Sequence, residues 1–174
     1  GTGIMKGPFA VDKEYPNWSE DGEYDPRIKT VPSTSHVSVW NFYVDPDADN
    51  MDEAQYVVER HKMSRSQIRA LKKRPFFRTN VIDEVIEVGE SYYKKYWEDD
   101  LSDYQVDKGV QRFEVLEYWG SIERQLLEDN DVTIPKELDG LDDIQANAWV
   151  CNNKVIRLVL NPFKPAKIPY YAVP

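Results

Sequence analysis

The sequence predicts an α+β fold, in which short antiparallel strands and hairpins pack with two amphipathic helices. Several short apolar runs are rich in β-branched and aromatic residues, which is typical of strands. Two of these runs flank Asn152-Asn153, a dipeptide that favours a tight hairpin turn. Elsewhere, after Ser64 and after Asn80, apolar residues recur at spacings of three and four, which indicates helices.

The composition is that of a folded chain. Its 174 residues are 41% hydrophobic and 13% aromatic, which is too apolar for a disordered segment and enough to bury a sizeable core. No apolar run approaches the roughly 20 residues of a membrane span, and the single cysteine, Cys151, excludes an internal disulfide. We therefore expect one domain over residues 1–174, with a strand–turn–strand unit and two helices in 35–111 and a strand and hairpin region in 112–174. Both ends look like interrupted elements, so we expect a piece of a longer protein.

The charge is unevenly distributed. The net charge is −9, but residues 59–78 hold eight basic residues and one acid, so this block is +7 and the remainder is −16. A dipolar chain suits head-to-tail contact with copies of itself or with an oppositely charged partner. A solvated basic face without a partner is the alternative, and the sequence leaves both open.

The first third of the chain predicts strands separated by loops. Residues 1–11 hold a short strand around Ile4, closed by Gly7-Pro8, and residues 12–35 form a long polar loop. Residues 37–44 are apolar on both faces, which predicts a covered strand. Asp45-Pro46 ends that strand because proline cannot donate to the sheet ladder.

An acidic turn over residues 45–53 resembles a calcium loop but lacks its pattern. An EF-hand loop that begins at Asp45 needs Gly at its sixth position and Glu at its twelfth, where this chain has Asn50 and Tyr56. We interpret Asp49 or Asn50 as the cap of a short helical turn. Residues 56–58 then resume an apolar strand.

Two helices follow. Ser64 and Gln67 have the spacing of a capping box, so a helix should begin near Arg65 and end before Pro75. Phe76 and Phe77 are expected to insert into the core. A second amphipathic helix is predicted over residues 80–97, and residues 98–111 read as an acidic linker.

The C-terminal part predicts mainly strands. Residues 112–119 alternate as a strand that Gly120 ends, and within it Glu114 and Glu117 point to opposite faces. A short helix is expected over 121–129 and an acidic loop over 130–144. A hairpin pairs 146–151 with 154–160, and a last strand begins within 167–173.

The sequence offers no catalytic, cofactor-binding or metal-binding residues. The two histidines, His36 and His61, lack the spacings that zinc sites use. Cys151 has no basic partner near it in sequence and reads as an inert thiol. Aromatic residues within 92–97 could stack on single-stranded nucleic acid, but the acids that follow them would repel phosphates.

Eight strings, taken in chain order, resemble a phage head-to-tail connecting (portal) protein of the podovirus or prophage type. They are GTGIMKGP at 1–8, NFYVDPDA at 41–48, DEAQYVV at 52–58, MSR at 63–65, LKK at 71–73, VLEYWG at 115–120, NPF at 161–163 and IPY at 168–170. Together they span nearly the whole chain.

The resemblance implies a structural segment of a ring-forming protein of the virion, and no enzyme. Portals are usually dodecamers at one capsid vertex, assembled in the host cytoplasm, that pass DNA driven by terminase and then join capsid to tail adaptor proteins. Alternating short strands and helices look like the portal wing, so the channel and its DNA contacts would lie outside this piece.

The basic helix supplies the expected subunit contacts. We predict that Arg65, Arg69, Lys72, Lys73 and Arg74 face an acidic surface of a neighbouring copy. Two alternatives remain. One is a cation-binding or protein-interaction module that uses the acidic turn from Asp45 to Glu53, and the other is an enzyme whose site is assembled from distant residues.

Overall fold

The computed structural model describes residues 3–91 and 112–173, and it confirms the α+β class. Strands and helices, numbered in chain order, are β1 Gly3–Tyr15, β2 Arg27–Val37, β3 Phe42–Val44, β4 Tyr56–Met63, α1 Arg65–Leu71, α2 Thr79–Val88, β5 Phe113–Glu123, α3 Arg124–Asp129, β6 Asp143–Cys151, β7 Lys154–Leu160 and β8 Tyr170–Val173. Short 3₁₀ turns occupy Val39–Asn41 and Lys136–Leu138. No helix among the described residues is long and apolar enough to cross a membrane.

The chain divides into two compact units, each with its own antiparallel sheet. Unit 1 comprises residues 1–40 and 169–174, and its sheet has the order β2-β1-β8. Unit 2 comprises residues 41–168, and its sheet has the order β3-β4-β5-β6-β7. Residues 35–111 and 112–174, expected as two regions of one domain, both contribute strands to the sheet of unit 2, where β4 and β5 are neighbours. The prediction of a single domain over residues 1–174 stays a prediction.

Unit 2 buries apolar side chains on both faces of its sheet. Successive residues of a strand point to opposite faces, so Phe113 and Val115 of β5 lie on one face and Tyr118 on the other. The first face packs on α1 and α2 and forms a cluster that includes Ile68 and Ile82. The second face packs on α3 and the segment after it. β5 is thereby covered on both sides.

The predicted helix start at Ser64 is confirmed. The Ser64 hydroxyl accepts a hydrogen bond from the Gln67 amide, and the Gln67 side chain accepts one from the Ser64 amide, which completes a capping box. The second helix runs only from Thr79 to Val88, and Gly89 with φ 93° ends it. The rest of the predicted helix, beyond residue 91, and the linker and aromatic cluster of 92–111 lie outside the described residues.

The predicted hairpin between β6 and β7 is confirmed. Asn152 and Asn153 have φ of 50° and 59°, as the two central residues of a primed turn require. Asparagine tolerates this left-handed conformation better than most residues. The last strand, expected to begin within residues 167–173, spans Tyr170–Val173.

The prediction of one covered strand over residues 37–44 is wrong. Val37 ends β2, the 3₁₀ turn Val39–Asn41 breaks the run, and β3 is only three residues long. Val39 and Trp40 are about half exposed. An apolar run thus predicted extended backbone but did not reveal the turn.

The loop expected over residues 12–35 is also wrong, since most of it belongs to a long hairpin of β1 and β2. The ladder shifts register between Lys6 and Phe9 and then continues to the pair Tyr15 and Arg27. These strands bury few side chains, so the alternation that usually marks a strand is missing.

Three smaller expectations differ as well. Gly120 does not end β5, which continues to Glu123, and the following helix therefore starts only at Arg124. Phe77 packs on the core cluster as expected, but Phe76 is 72% exposed with φ 66°.

Gly120 is the position in β5 where a side chain cannot fit. A Cβ built there would lie 2.6 Å from Tyr56 Cβ and 2.8 Å from the Gln55 carbonyl oxygen. We expect Gly120→Ala to lower the free energy of unfolding by about 1–3 kcal/mol, as overpacking does, measured by urea denaturation. Gly3→Ala is the control, because its Cβ would meet only the Val173 carbonyl oxygen at 3.9 Å. Equal stability of the two variants would contradict this packing.

Candidate functional site

The five predicted contact residues on and after α1 fall into two groups. Arg65 forms an ion pair with Glu90, with Nε 3.1 Å from Oε1, and this contact lowers the pKa of the Glu90 carboxyl group. Lys72 forms an ion pair with Asp83 of α2. These two cations therefore have partners in their own chain, where they join α1 to α2 and to the residues after it.

The other three residues, Arg69, Lys73 and Arg74, are exposed. No carboxylate in the described part of the chain forms an ion pair with any of them. Backbone hydrogen bonds continue the helical turn to Arg74, which keeps the three residues on one short stretch. We call Arg69, Lys73 and Arg74 the basic patch. The exposed ring of Phe76 follows it after Pro75.

A second cluster of charged groups lies on the face of the unit 2 sheet that also carries Val115. Glu59 of β4 and Glu117 of β5 are directly opposite each other, an arrangement that is unfavourable for two like charges. His61 lies between them, with Nδ1 3.6 Å from Glu59 Oε1 and Nε2 2.8 Å from Glu117 Oε2. The imidazole thus offers one nitrogen to each carboxylate. We call Glu59, His61 and Glu117 the carboxylate–histidine cluster.

Glu117 is the most buried member, with its side chain only 3% exposed. Its other oxygen, Oε1, accepts hydrogen bonds from Trp119 Nε1 at 2.8 Å and from Asn147 Nδ2 at 3.5 Å. Arg157 donates in turn to Asn147 Oδ1. A buried carboxylate needs such donors, because burial of an ion without compensation is costly.

Aromatic rings complete the surroundings of the cluster. The imidazole of His61 stacks on the indole of Trp149, with centroids 5.0 Å apart and planes at 7°. Phe77 packs edge-on against the same indole, and the Arg157 guanidinium lies 5.5 Å from the Phe77 centroid. Burial among these groups lowers the pKa of Arg157. The cluster therefore lies in a partly dehydrated environment.

The carboxylate–histidine cluster has the donor set of a transition-metal site. One ligand atom from each residue lies within 4.8 Å of the others, and carboxylate oxygen with imidazole nitrogen suits Zn²⁺ or Mn²⁺. Glu117 already uses both of its oxygens, since Oε2 bonds to His61 Nε2 and Oε1 accepts from Trp119 Nε1. The arrangement can serve either as a metal site or as a buried ionic brace.

Sequence reasoning missed this cluster because its members are distant in the chain. Glu59 and His61 are two apart on one strand, which places them on one face, but only the β4–β5 register brings Glu117 to them. The expectation that Glu114 and Glu117 face opposite ways is consistent with their contacts, since Glu114 pairs with Arg60 and Glu117 with His61.

The acidic turn is held by hydrogen bonds of its own. Both carboxylate oxygens of Asp45 accept from backbone amides, those of Asp47 and Gln55. Asn50 Oδ1 accepts from the amides of Asp52 and Glu53, which confirms the capping role expected for Asn50.

Cys151 is buried at the end of β6, as an inert thiol would be. Burial raises the pKa of the Cys151 thiol to about 12. At neutral pH the group is therefore protonated, and the nucleophilic thiolate is scarce.

No family model matches the chain, and no curated protein matches it either.

Glu117 provides a test of the cluster as an ionic brace. Glu117→Ala removes the carboxylate that accepts from Trp119 and contacts His61, and we expect it to lower the free energy of unfolding by about 3–5 kcal/mol, as loss of one partner of a buried ion pair does. Glu117→Gln keeps the shape and one acceptor oxygen, so we expect a loss of only about 1–2 kcal/mol. Urea denaturation of the two variants measures the difference. Losses below about 1 kcal/mol in both variants would contradict a stabilising role for the buried carboxylate.

Proposed function

We propose that this chain is a structural segment, the wing region, of a phage or prophage portal protein. In this proposal its work is to hold copies of the protein in a ring, expected to be a dodecamer, at the capsid vertex. The ring is the path for DNA in packaging and ejection, and it contacts terminase, capsid and tail adaptor proteins. It belongs to the virion and assembles in the host cytoplasm.

The basic patch is the observation that carries this proposal. Arg69, Lys73 and Arg74 are exposed and form no ion pairs with the described residues, whereas the chain as a whole is strongly acidic. A neighbouring copy is an available source of negative charge for this surface. The strings that resemble portal proteins support the same proposal.

The rest of unit 2 suits a rigid support for such a contact. The capping box at Ser64 and the ion pairs of Arg65 and Lys72 hold α1 in place. α1 is further anchored by Ile68 and Leu71, both buried in the core cluster. A side chain on an anchored helix loses less conformational entropy on binding than one on a loose segment.

Catalysis and direct DNA contact are no part of this proposal. The Cys151 thiol is protonated at neutral pH, and the carboxylates of the cluster are held by hydrogen bonds. The net charge of −9 opposes binding to phosphates. DNA would pass through a channel formed by other parts of the ring.

Expression of the complete reading frame that encodes this chain tests the proposal. We expect negative-stain electron microscopy to show rings with a central channel, and a terminase gene to lie beside the reading frame. The variant Arg69→Glu, Lys73→Glu, Arg74→Glu should reduce the fraction of ring at least tenfold, because like charges then face each other. The proposal would be contradicted if the complete protein stayed monomeric. It would also be contradicted if the complete reading frame encoded a protein with another activity.

A cation-binding module is the second candidate function, and the carboxylate–histidine cluster favours it more than the acidic turn does. In that case calorimetric titration should show one Zn²⁺ or Mn²⁺ bound per chain. Binding should be lost in His61→Ala but retained in Asp47→Asn with Asp49→Asn, whose carboxylates belong to the turn. If titration of the unaltered chain released or absorbed no heat, this candidate function would be excluded. If only the turn variant lost cation binding, the cation site would lie in the acidic turn.

A further inference from the structure

Unit 1 carries a long β-hairpin whose outer half has neither face covered. Every residue from Ala10 to Pro16 and from Glu20 to Thr30 is exposed. Large apolar side chains are among them, including Ile28 at 71% exposure, and Trp18 of the connecting turn is 65% exposed. We call residues 10–31 the arm and its turn, residues 16–26, the tip.

Contacts within the arm give it a defined shape without a core beneath it. Trp18 and Tyr24 form a bridge across the tip, and their rings meet edge to face with centroids 5.1 Å apart. The Tyr24 hydroxyl donates to Glu14 Oε1 at 2.8 Å, which raises the pKa of Tyr24. Thr30 Oγ1 donates to Asp12 across the strands. The tip is thereby organised before it meets any partner.

The arm is a two-stranded hairpin that leaves large apolar side chains in water, among them Val11, Tyr15 and Ile28. An isolated hairpin of two strands is only marginally stable in water, and further strands or a packed helix are needed to stabilise it. Trp and Tyr are also among the residues that contribute most to the binding free energy at protein interfaces. These features indicate a surface that becomes buried when the protein assembles.

The charge of the tip identifies the kind of partner. Residues 16–26 contain four acids and no basic residue: Glu20, Asp21, Glu23 and Asp25. The basic patch has the opposite charge, and both surfaces carry exposed aromatic rings, Trp18 and Tyr24 on the tip and Phe76 beside the patch. Every copy of the chain has one tip and one patch.

We propose that the tip of one copy docks on the basic patch of a second copy. This inference rests on the proposed function, since it names the acidic surface that the basic patch meets. Because the tip and the patch are different surfaces, the contact is head-to-tail, and repetition of such a contact closes into a ring when its rotation allows. Phe76 packs beside Trp18 or Tyr24, and the charges around them set the register.

Charge reversal with a swap tests the contact in the 174-residue chain, with sedimentation velocity from micromolar to millimolar concentration at low salt. The tip variant is Glu20→Lys, Glu23→Lys, Asp25→Lys, and the patch variant is Arg69→Glu, Lys73→Glu, Arg74→Glu. We expect the unaltered chain to associate with increasing concentration, and each variant alone to need at least tenfold higher concentration. Association should weaken as salt rises, because exposed charges are screened.

A mixture of the two variants gives the most specific result. The reversed tip then meets a reversed patch, and the two native surfaces also remain complementary, so we expect association to return. The matched control is Asp129→Lys, Glu137→Lys, Asp142→Lys, which makes the same change of charge on exposed acids of unit 2 and should leave association unchanged. Circular dichroism checks that every variant is folded.

Three outcomes would overturn the inference: a chain that stays monomeric at millimolar concentration, a control variant as impaired as the tip variant, or a mixture that does not recover. The ring assay on the complete reading frame separates this failure from that of the proposed function. Rings that form normally with the tip variant would remove the docking contact and leave the portal proposal intact. Absence of rings in the unaltered complete protein would remove the portal proposal itself.

Discussion

The pairing of β4 with β5 is the constraint on which the rest of unit 2 depends. This register places Glu59 opposite Glu117 and His61 opposite Val115. A shift of one residue would move every side chain of β4 to the other face, which would take Val57 out of its fully buried position and separate His61 from Glu117. α1 follows β4 after Ser64 alone, so the register also determines where the basic patch lies. The core, the carboxylate–histidine cluster and the basic patch therefore all depend on this strand register.

The basic block of residues 59–78 illustrates how the fold assigns different roles to similar side chains. Arg60 is buried and donates to Asn41 Oδ1, Arg65 and Lys72 pair with acids of the same unit, and Arg78 bonds to Asn130. Much of the basic block therefore stabilises the fold, because its side chains are buried or paired within the chain. What reaches solvent without a described partner is the smaller basic patch, and a surface charge of that kind acts mainly on association.

The arm and the unit 2 sheet both form backbone hydrogen bonds between strands, but they differ in whether side chains are buried as well. In the sheet, ladder hydrogen bonds and burial of apolar side chains act together, as at Phe113 and Ile156, both fully buried. In the outer arm the ladder is complete but the side chains stay in water. Its order comes from cross-strand contacts such as Tyr24 with Glu14. Contact with a partner stabilises a segment of this type more than it stabilises a segment that already packs on a core.

The sequence by itself determined the elements whose signals are local. The capping box at Ser64, the hairpin at Asn152-Asn153 and the turn cap at Asn50 each depend on residues within a few positions, so their side chains specify the backbone directly. Tertiary structure alone decided the arm, the break after Val37 and the meeting of Glu59, His61 and Glu117. The arm has no buried face to create a period in the sequence, and the cluster requires a strand register between residues 56 apart. Separation along the chain hides such contacts, because no local pattern records which strands become neighbours.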